Sequence, residues 1–589
     1  MQDRYDVVIM GGGPAGSTLA ALVKRKSALS VLVLEGERFP REHIGESLVH
    51  ACLPVFEEAG SLGKILASDC WIQKFGGIFA WDAERPAVTF FDQPNWLEDG
   101  VHRWALHVDR AEFDRILLDN AREQGADVLE EARVRSYTPA DDGRGGTVVL
   151  SDGRAIKTRV FVDASGRSSQ VATRRRPAFL SEYKNVAIWN HFLGCKPAQT
   201  LDAEWNIFRA DDLSPIACVA FEDGWAWYIP VRKLVNGERV TTYSIGIVTD
   251  PSVLEDPARN YLDPQVFNDK IHHIRLIEEL TRDAVPLREE LQVVTNYSMI
   301  QERFCDFEER WLLVGDAAYF VDPLFSSGVT FASGMAATAE LLIRTTLADE
   351  TSADLLRMWH DYDREWDDIA RSFALAIDQW YHSIALNHPD SVYWKVRRNT
   401  VLDLGIRDAA FQGLVDAAIT PDLLQILTKG SFDARDLDAE GPFVRMLAEL
   451  AQTEPSADAT IELHPGVTCA DGETLAIPAF KASMLPPWAT ADERRAAADY
   501  WRHLRDRPVP LPSPQDTTIP CLRFIDAEGV DRLRQPGDIG SARALWARLA
   551  QGPQRYGDVK AATPPHLHNL LRKLVVAGLA EVREAAVPA

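Results

Sequence analysis

The 589-residue chain has only seven cysteines, Cys52, Cys70, Cys195, Cys218, Cys305, Cys469 and Cys521, and no two form a C-x-x-C pair. Neither a metal site nor a disulfide framework is therefore expected, and the sparse thiols suggest a reducing compartment. Long apolar runs are also missing. None approaches the ~18 residues of a spanning helix, and the N-terminus opens on a strand pattern carrying Asp3, Arg4 and Asp6. No membrane association is expected, and the cytoplasm is the expected location. Positive charge is short as well, with 63 Lys and Arg against 87 Asp and Glu, a net charge of −24. Such a surface repels phosphate backbones and anionic bilayers, which argues against nucleic acid as a partner. No recurring period signals a solenoid or propeller. What remains is ordinary: 46% hydrophobic and 25% charged residues describe a globular protein, and the length implies two to four domains.

Residues Tyr5 to Glu35 read as a βαβ unit. An apolar strand leads into Gly11-x-Gly13-Pro14-Ala15-Gly16, an Ala/Leu-rich helix follows, and a second apolar run ends at Leu34. Glycines there admit close backbone approach, and a pyrophosphate can sit on the helix N-terminus, where free N–H groups and the dipole favour an anion. Glu35, nineteen residues after Gly16, can accept from a ribose hydroxyl. NAD and FAD both satisfy this unit.

Three later segments separate them. Val108-Asp109-Arg110, with Phe113 and Leu117 downstream, resembles the arginine-bearing helix of class A flavoprotein monooxygenases. Phe161-Val162-Asp163-Ala164-Ser165-Gly166 resembles their second nucleotide-contact strand. Leu312 to Ala318 resembles the Gly-Asp segment, here Gly315-Asp316, whose aspartate holds the flavin ribityl chain. Their order and spacing match that family over about residues 1 to 350. The resemblance implies FAD, with Arg110, Asp163, Gly315 and Asp316 among its contacts, and an α/β fold: a Rossmann-like FAD-binding core (about 1–170 and 290–350) with a mixed substrate-side β-sheet (about 171–290). No second Gly-x-Gly-x-x-Gly loop serves nicotinamide, and class A hydroxylases lack one too.

Two further motifs resemble flavin-dependent halogenases. Trp225-Ala226-Trp227-Tyr228-Ile229-Pro230 matches their Trp-x-Trp-x-Ile-Pro pattern, and in a strand both indoles share a face. The resemblance implies that Trp225 and Trp227 wall the flavin off from the substrate, so that a flavin hydroperoxide cannot hydroxylate it directly; without it, they would read as core tryptophans. Phe320 to Gly328 fits Phe-x-x-Pro-x-x-Ser-x-Gly, and the resemblance implies that chloride lies against Ser326, Ser327 and Gly328 at a helix N-terminus.

Family chemistry passes the halogen from hypohalous acid to a lysine beside the substrate. By position that is Lys74, in Gln73-Lys74-Phe75-Gly76-Gly77; the plain alternative is a solvated surface lysine. Glu46, in Gly45-Glu46-Ser47, is the candidate proton acceptor, or else a carboxylate capping a helix at Ser47. Arg41 is placed near the flavin or its pyrophosphate by position. The resemblance thus implies an FADH2-dependent halogenase. Reduced flavin would come from a separate reductase, and the halide would be chloride or bromide, with chloride favoured on abundance. The substrate would be an electron-rich aromatic such as a phenol or pyrrole, free or on an acyl or peptidyl carrier protein, in natural-product biosynthesis. The tryptophan-acting subgroup fits less well, because its longer insertion before the lysine is absent. A flavin hydroxylase or epoxidase keeping the motifs as scaffold is the enzymatic alternative, and a regulator on a relic flavoprotein fold the non-enzymatic one.

Beyond residue 350 the character changes. A helical region is expected over 351–450, where Trp359, Trp366, Phe373 and Trp380 recur every seven residues with Tyr362, Ile369 and Ala376 between them, a stripe suited to packing on the preceding domain. Residues 451–589 read as a C-terminal domain, with a hairpin around Gly466 to Ala479 turning at Ala470-Asp471-Gly472. Its end is winged-helix-like: a helix with Leu545, Trp546 and Leu549, then 556–562, then 565–577, then a strand from Gly578. With only Arg572 and Lys573 as a basic pair, this end reads as a docking or structural unit.

Overall fold

The computed structural model describes residues 2–50, 52–74, 76–80, 87–90, 105–168, 184–197, 216–295, 297–352, 355–385, 388, 391–397, 455–475, 518–527, 529, 531–536, 538–564, 567–576 and 578–583. Most of the expected 351–450 region, the far end of the expected hairpin, and the side chains of Ala376, Trp380, Arg572 and Lys573 lie outside the described residues.

The first sheet has a parallel centre. Strand Arg4–Met10 is flanked by Val31–Leu34 on one side and Ala155–Asp163 on the other, with Trp311–Leu313 beyond. Val7, Val8 and Ile9 are completely enclosed; burial on both faces explains why this strand reads as a continuous apolar run. Helix Pro14–Lys26 covers the sheet and packs against the long helix Gly328–Ala348. Enclosed ion pairs tie these helices to a third: Lys26 meets both Glu58 and Glu340, and Arg344 donates to Glu340.

The second sheet is mostly antiparallel, in the order Val285–Pro286, Val186–Leu193, Glu238–Thr249, Gly224–Val235, Ile216–Phe221, Gly76–Ala80 and Ala87–Phe90. Its two longest strands form a hairpin closed by Asn236-Gly237, both at positive φ (51° and 86°), the conformation of a two-residue turn matched to strand twist. Lys74 ends a separate short strand, Trp71–Lys74, paired with Ala105–Val108; both strands pack on Gly224–Val235.

Helix Leu355–Ala385 carries the seven-residue stripe inward. Trp359, Tyr362, Trp366 and Phe373 are buried, and the first and third donate their indole N–H to Thr346 and Thr338 of the long helix, each at 2.9 Å. Near the C-terminus, helices Ile539–Leu549, Tyr556–Ala562 and His568–Val576 and strand Ala580–Arg583 share an apolar core of their own.

One expectation fails there. Ala470-Asp471-Gly472 is no turn but the middle of strand Thr468–Leu475, which pairs with Thr518–Ile525; the chain turns earlier, at Pro465-Gly466. Gly472 serves the pairing instead, since a Cβ there would lie 2.5 Å from the side chain of Arg523, diagonally across on the paired strand.

Candidate active site

The nucleotide loop is shaped by close contacts. Gly11 has φ 105°, and a Cβ on it would lie 2.3 Å from the Ala164 carbonyl oxygen; one on Gly16 would lie 2.0 Å from that of Gly11. Pro14 and Ala15 open the helix, and its N-cap, Gly13, offers no capping side chain, which leaves the first N–H groups available to an anion. The Arg41 guanidinium stands 3.7 Å from where a Gly13 Cβ would be, within reach of a phosphate on the loop. Glu35 is already engaged: its two oxygens accept from the N–H groups of Gly12 (2.7 Å) and Glu37 (2.8 Å). Asp163 accepts from the backbone N–H and hydroxyl of Ser165.

Asp316 behaves differently. Among the described residues it accepts no hydrogen bond, and burial raises its carboxyl to about 6 despite the opposing charges of Arg110 and Arg167. An acceptor left open beside Gly315, whose missing Cβ allows contact with Ala15, suits the hydroxyls of a ribityl chain. The donor set, the glycine cradle and this open carboxylate fit FAD. Arg110 is spent on protein: its guanidinium makes a bidentate pair with Asp114 (2.8 and 2.9 Å) and donates to the carbonyls of Ile44 (2.6 Å) and Gly45 (3.2 Å), fixing the loop that leads into Glu46.

The wall of the site is one face of the second sheet. Its register gives three adjacent rows: Ala187, Val248 and Trp225; Trp189, Gly246 and Trp227; His191, Ser244 and Ile229. Gly246 is the enabling residue, because a Cβ there would lie 2.1 Å from the Trp227 ring. The two flanking indoles lean over it, Trp189 to Trp227 at 6.4 Å and Trp225 to Trp227 at 6.0 Å between centroids. Trp227 Nε1 donates to Ser244 (3.2 Å), and Trp225 Nε1 to the hydroxyl of Tyr381 (2.8 Å).

Glu46 lies over the His191 row, with Oε1 2.6 Å from His191 Nε2. It caps no helix; its own backbone pairs with Val108. Burial alone would raise this carboxyl, yet His191, Lys233 and Ser244 together hold it down to about 2.

Lys74 is wholly enclosed, which disposes of the surface alternative. Its Nζ donates to the carbonyl of Leu48 at 2.9 Å and stands 3.5 Å from the hydroxyl of Ser326. Burial pulls its ammonium down to about 7, opposed in part by the neighbouring thiols Cys218 and Cys52. Ser326 adopts a left-handed conformation (φ 60°), Ser327 is buried at the N-cap of the long helix, and a Cβ on Gly328 would lie 3.0 Å from the Phe320 ring. The structure thus brings Lys74 to the Ser326 loop but gives Glu46 to His191.

Comparison with known proteins places this geometry. The profile of the tryptophan halogenase family matches residues 6–91 and 83–408. The chain belongs to that family. A tryptophan 2-halogenase of Chondromyces crocatus is 26% identical over 70% of this chain and 74% of its own. A 1H-pyrrole-2-carbonyl-[peptidyl-carrier protein] chlorinase of Pseudomonas fluorescens is 31% identical over 57% of this chain and 74% of its own. The myxobacterial chondrochloren halogenase CndH superposes with a TM-score of 0.59 at 27% identity, covering 77% of this chain and 98% of its own. CmlS, a flavin-dependent halogenase, reaches 0.72 at 22% identity over 100% and 98%, a likeness of fold. The chain is a flavin-dependent halogenase, an enzyme whose cofactor is FAD and whose co-substrate is a halide. No helix among the described residues is long and apolar enough to cross a membrane.

Sequence reasoning missed Trp189, His191, Ser244, Gly246 and Tyr381. The only signal was Gly246 itself, a glycine inside an apolar strand, which marks a close approach.

Proposed function

We propose that this enzyme chlorinates or brominates an electron-rich aromatic ring, a phenol or pyrrole, through Lys74. The observation that carries the reading is the enclosed Lys74 amine, held between the Leu48 carbonyl and the hydroxyl of the Ser326 loop. Bound FAD, reduced by a separate flavin reductase, supplies hypohalous acid from oxygen and halide. Ser326, Ser327 and Gly328 receive the halide at the start of the long helix, and Trp225 and Trp227 keep the cofactor side apart from the substrate side. Gly11, Gly13, Pro14, Ala15, Gly16, Glu35, Arg41, Asp163, Gly315 and Asp316 hold the cofactor, and Arg110 orders the loop beside it.

An amine titrating at about 7 populates both protonation states near neutrality. Neutral Nζ attacks the halogen of hypohalous acid, forming an N–X bond and releasing water; protonated Nζ donates to the hypohalous oxygen and polarises the O–X bond. In the first case the ring forms C–X as N–X breaks, and the ring proton returns to Nζ as the free amine is restored; in the second O–X breaks, and the ring proton joins the released hydroxide as water. Glu46 was the candidate acceptor for that proton, but a carboxylate held near 2 is a feeble base, and we assign it to holding His191. A carrier-bound pyrrole substrate draws support from the Pseudomonas relative's name.

The test is turnover with FAD, a flavin reductase, oxygen, bromide and an activated phenol, followed by mass spectrometry, in wild type and Lys74→Ala. Bromination confined to wild type, with flavin oxidation in both, is the expected result. A product that gains oxygen without bromine in both proteins would move the enzyme to hydroxylation or epoxidation.

A further inference from the structure

Helix Leu355–Ala385 reaches the wall through the side chain of Tyr381. The hydroxyl of Tyr381 accepts from Trp225 Nε1 at 2.8 Å and donates to Asp322 Oδ2 at 3.0 Å. Asp322 in turn shapes the halide loop. Its other oxygen accepts from the Leu324 N–H at 2.9 Å, starting the short turn Pro323–Phe325 that delivers Ser326. Tyr381 is completely enclosed, its ring against Trp394 (5.9 Å between centroids), and Trp394 is anchored by its indole N–H to the Phe221 carbonyl at 2.7 Å. A single hydroxyl thus joins three separate pieces of chain: the tryptophan strand, the halide loop and the helix that follows the long helix. Buried hydrogen bonds of this kind fix relative positions more than they add stability.

We propose that Tyr381 is a positioning residue that keeps the indole wall in register with the halide loop, so that hypohalous acid formed on one side reaches Lys74 instead of escaping to solvent. This rests on the halogenation reading above. The helix is then part of the delivery path as well as a cover for the core. Without the hydroxyl, Trp225 and Asp322 can shift independently, and the oxidant leaks.

Tyr381→Phe keeps the ring against Trp394 and removes only the shared hydroxyl. The experiment measures, per FADH2 consumed, halogenated phenol and free hypohalous acid trapped by a diffusible dione. The expected result is a fall of about tenfold in the ratio of product to trapped acid, the size expected for losing two hydrogen bonds. Thermal unfolding monitors folding, and Asp322→Asn, which can keep the turn, should shift the ratio in the same direction by less. Loss of folded enzyme lowers both channels together and leaves their ratio alone, so an unchanged ratio in Tyr381→Phe overturns the proposal. Wild type that yields neither halogenated phenol nor trapped acid would overturn the halogenation reading, and this inference with it.

Discussion

Lys74 and Glu46 are two enclosed titratable side chains in the same core, and the protein treats them in opposite ways. Lys74 has a backbone carbonyl and a hydroxyl for company, so burial dominates and its amine falls to about 7. Glu46 has an imidazole at 2.6 Å and Lys233 behind it, so pairing outweighs burial and the carboxyl stays near 2. The first is left able to exchange a proton near neutrality; the second is locked in one state. The difference shows that burial alone does not mark a reactive group. What marks it is the balance: burial is the larger influence at Lys74 and is outweighed by pairing at Glu46.

The sharpest way to break the contrast is to remove the amine. Lys74→Ala should lower halogenation by about 10³-fold while flavin oxidation continues; Lys74→Arg, whose guanidinium cannot shed its proton, should be as poor if neutral Nζ forms the N–X bond and should keep part of the activity if protonated Nζ polarises the O–X bond. Stability should move the other way. An amine lowered from 10.5 to about 7 costs the folded state most below pH 7, where it must carry charge, and nothing above pH 10.5. Lys74→Met should therefore raise stability by a few kcal/mol at pH 6, with the gain shrinking as pH climbs toward 10.5. Denaturant unfolding at several pH values checks the sign.

Glu46→Gln probes the paired side. It leaves His191 without its carboxylate partner, a loss of about 3 kcal/mol, while Lys233 keeps its ion pairs with Glu42 and Asp109. For a carboxyl lowered from 4.5 to about 2, the stabilising contribution is complete above pH 4.5 and disappears as pH falls through 2. The mutant and wild-type curves should therefore converge on acidification. Loss of halogenation in a fully folded Glu46→Gln would return Glu46 to the reaction itself.

How much of this was legible in the sequence follows the range of the contacts. The glycine loop, the tryptophan pair and the Ser326 loop are local patterns, and Gly11, Trp225 and Ser326 could be read from neighbours a few places away. The rest of the wall could not. Trp189 meets Trp227 only because Gly246 lies between them in register, and register is set by pairing across strands that a linear reading does not align. The same limit explains the failed hairpin: Asp471-Gly472 carries a turn signal, but pairing with a strand more than forty residues on outweighs it. Tyr381 lies one residue past the Trp380 position of the seven-residue stripe, so the periodicity that exposed the buried helix face pointed beside it.

Gly246→Ala sharpens the comparison where the two ends of the wall meet. Its methyl group would occupy the Trp227 ring position, at 2.1 Å, so the indole must turn away and loosen from Ser244, the residue that also supports Glu46. A cost of about 2 kcal/mol is expected, typical of overpacking. Hypohalous acid should also escape, measurable with the same dione trap.

Trp366 supplies a third case, a buried polar group with a neutral partner. Its indole N–H donates to Thr338 at 2.9 Å, far along the long helix from Gly328. Neither member carries charge, so no pH dependence should follow from their separation. Trp366→Phe should cost about 1 kcal/mol from the lost hydrogen bond plus the lost ring volume, the Thr338 hydroxyl keeping its bond to the Gly334 carbonyl; the cost should be the same at pH 6 and pH 9, with the product-to-trapped-acid ratio unchanged. A shift in that ratio would mean that the whole helix positions the wall, and that Tyr381 is not its point of contact.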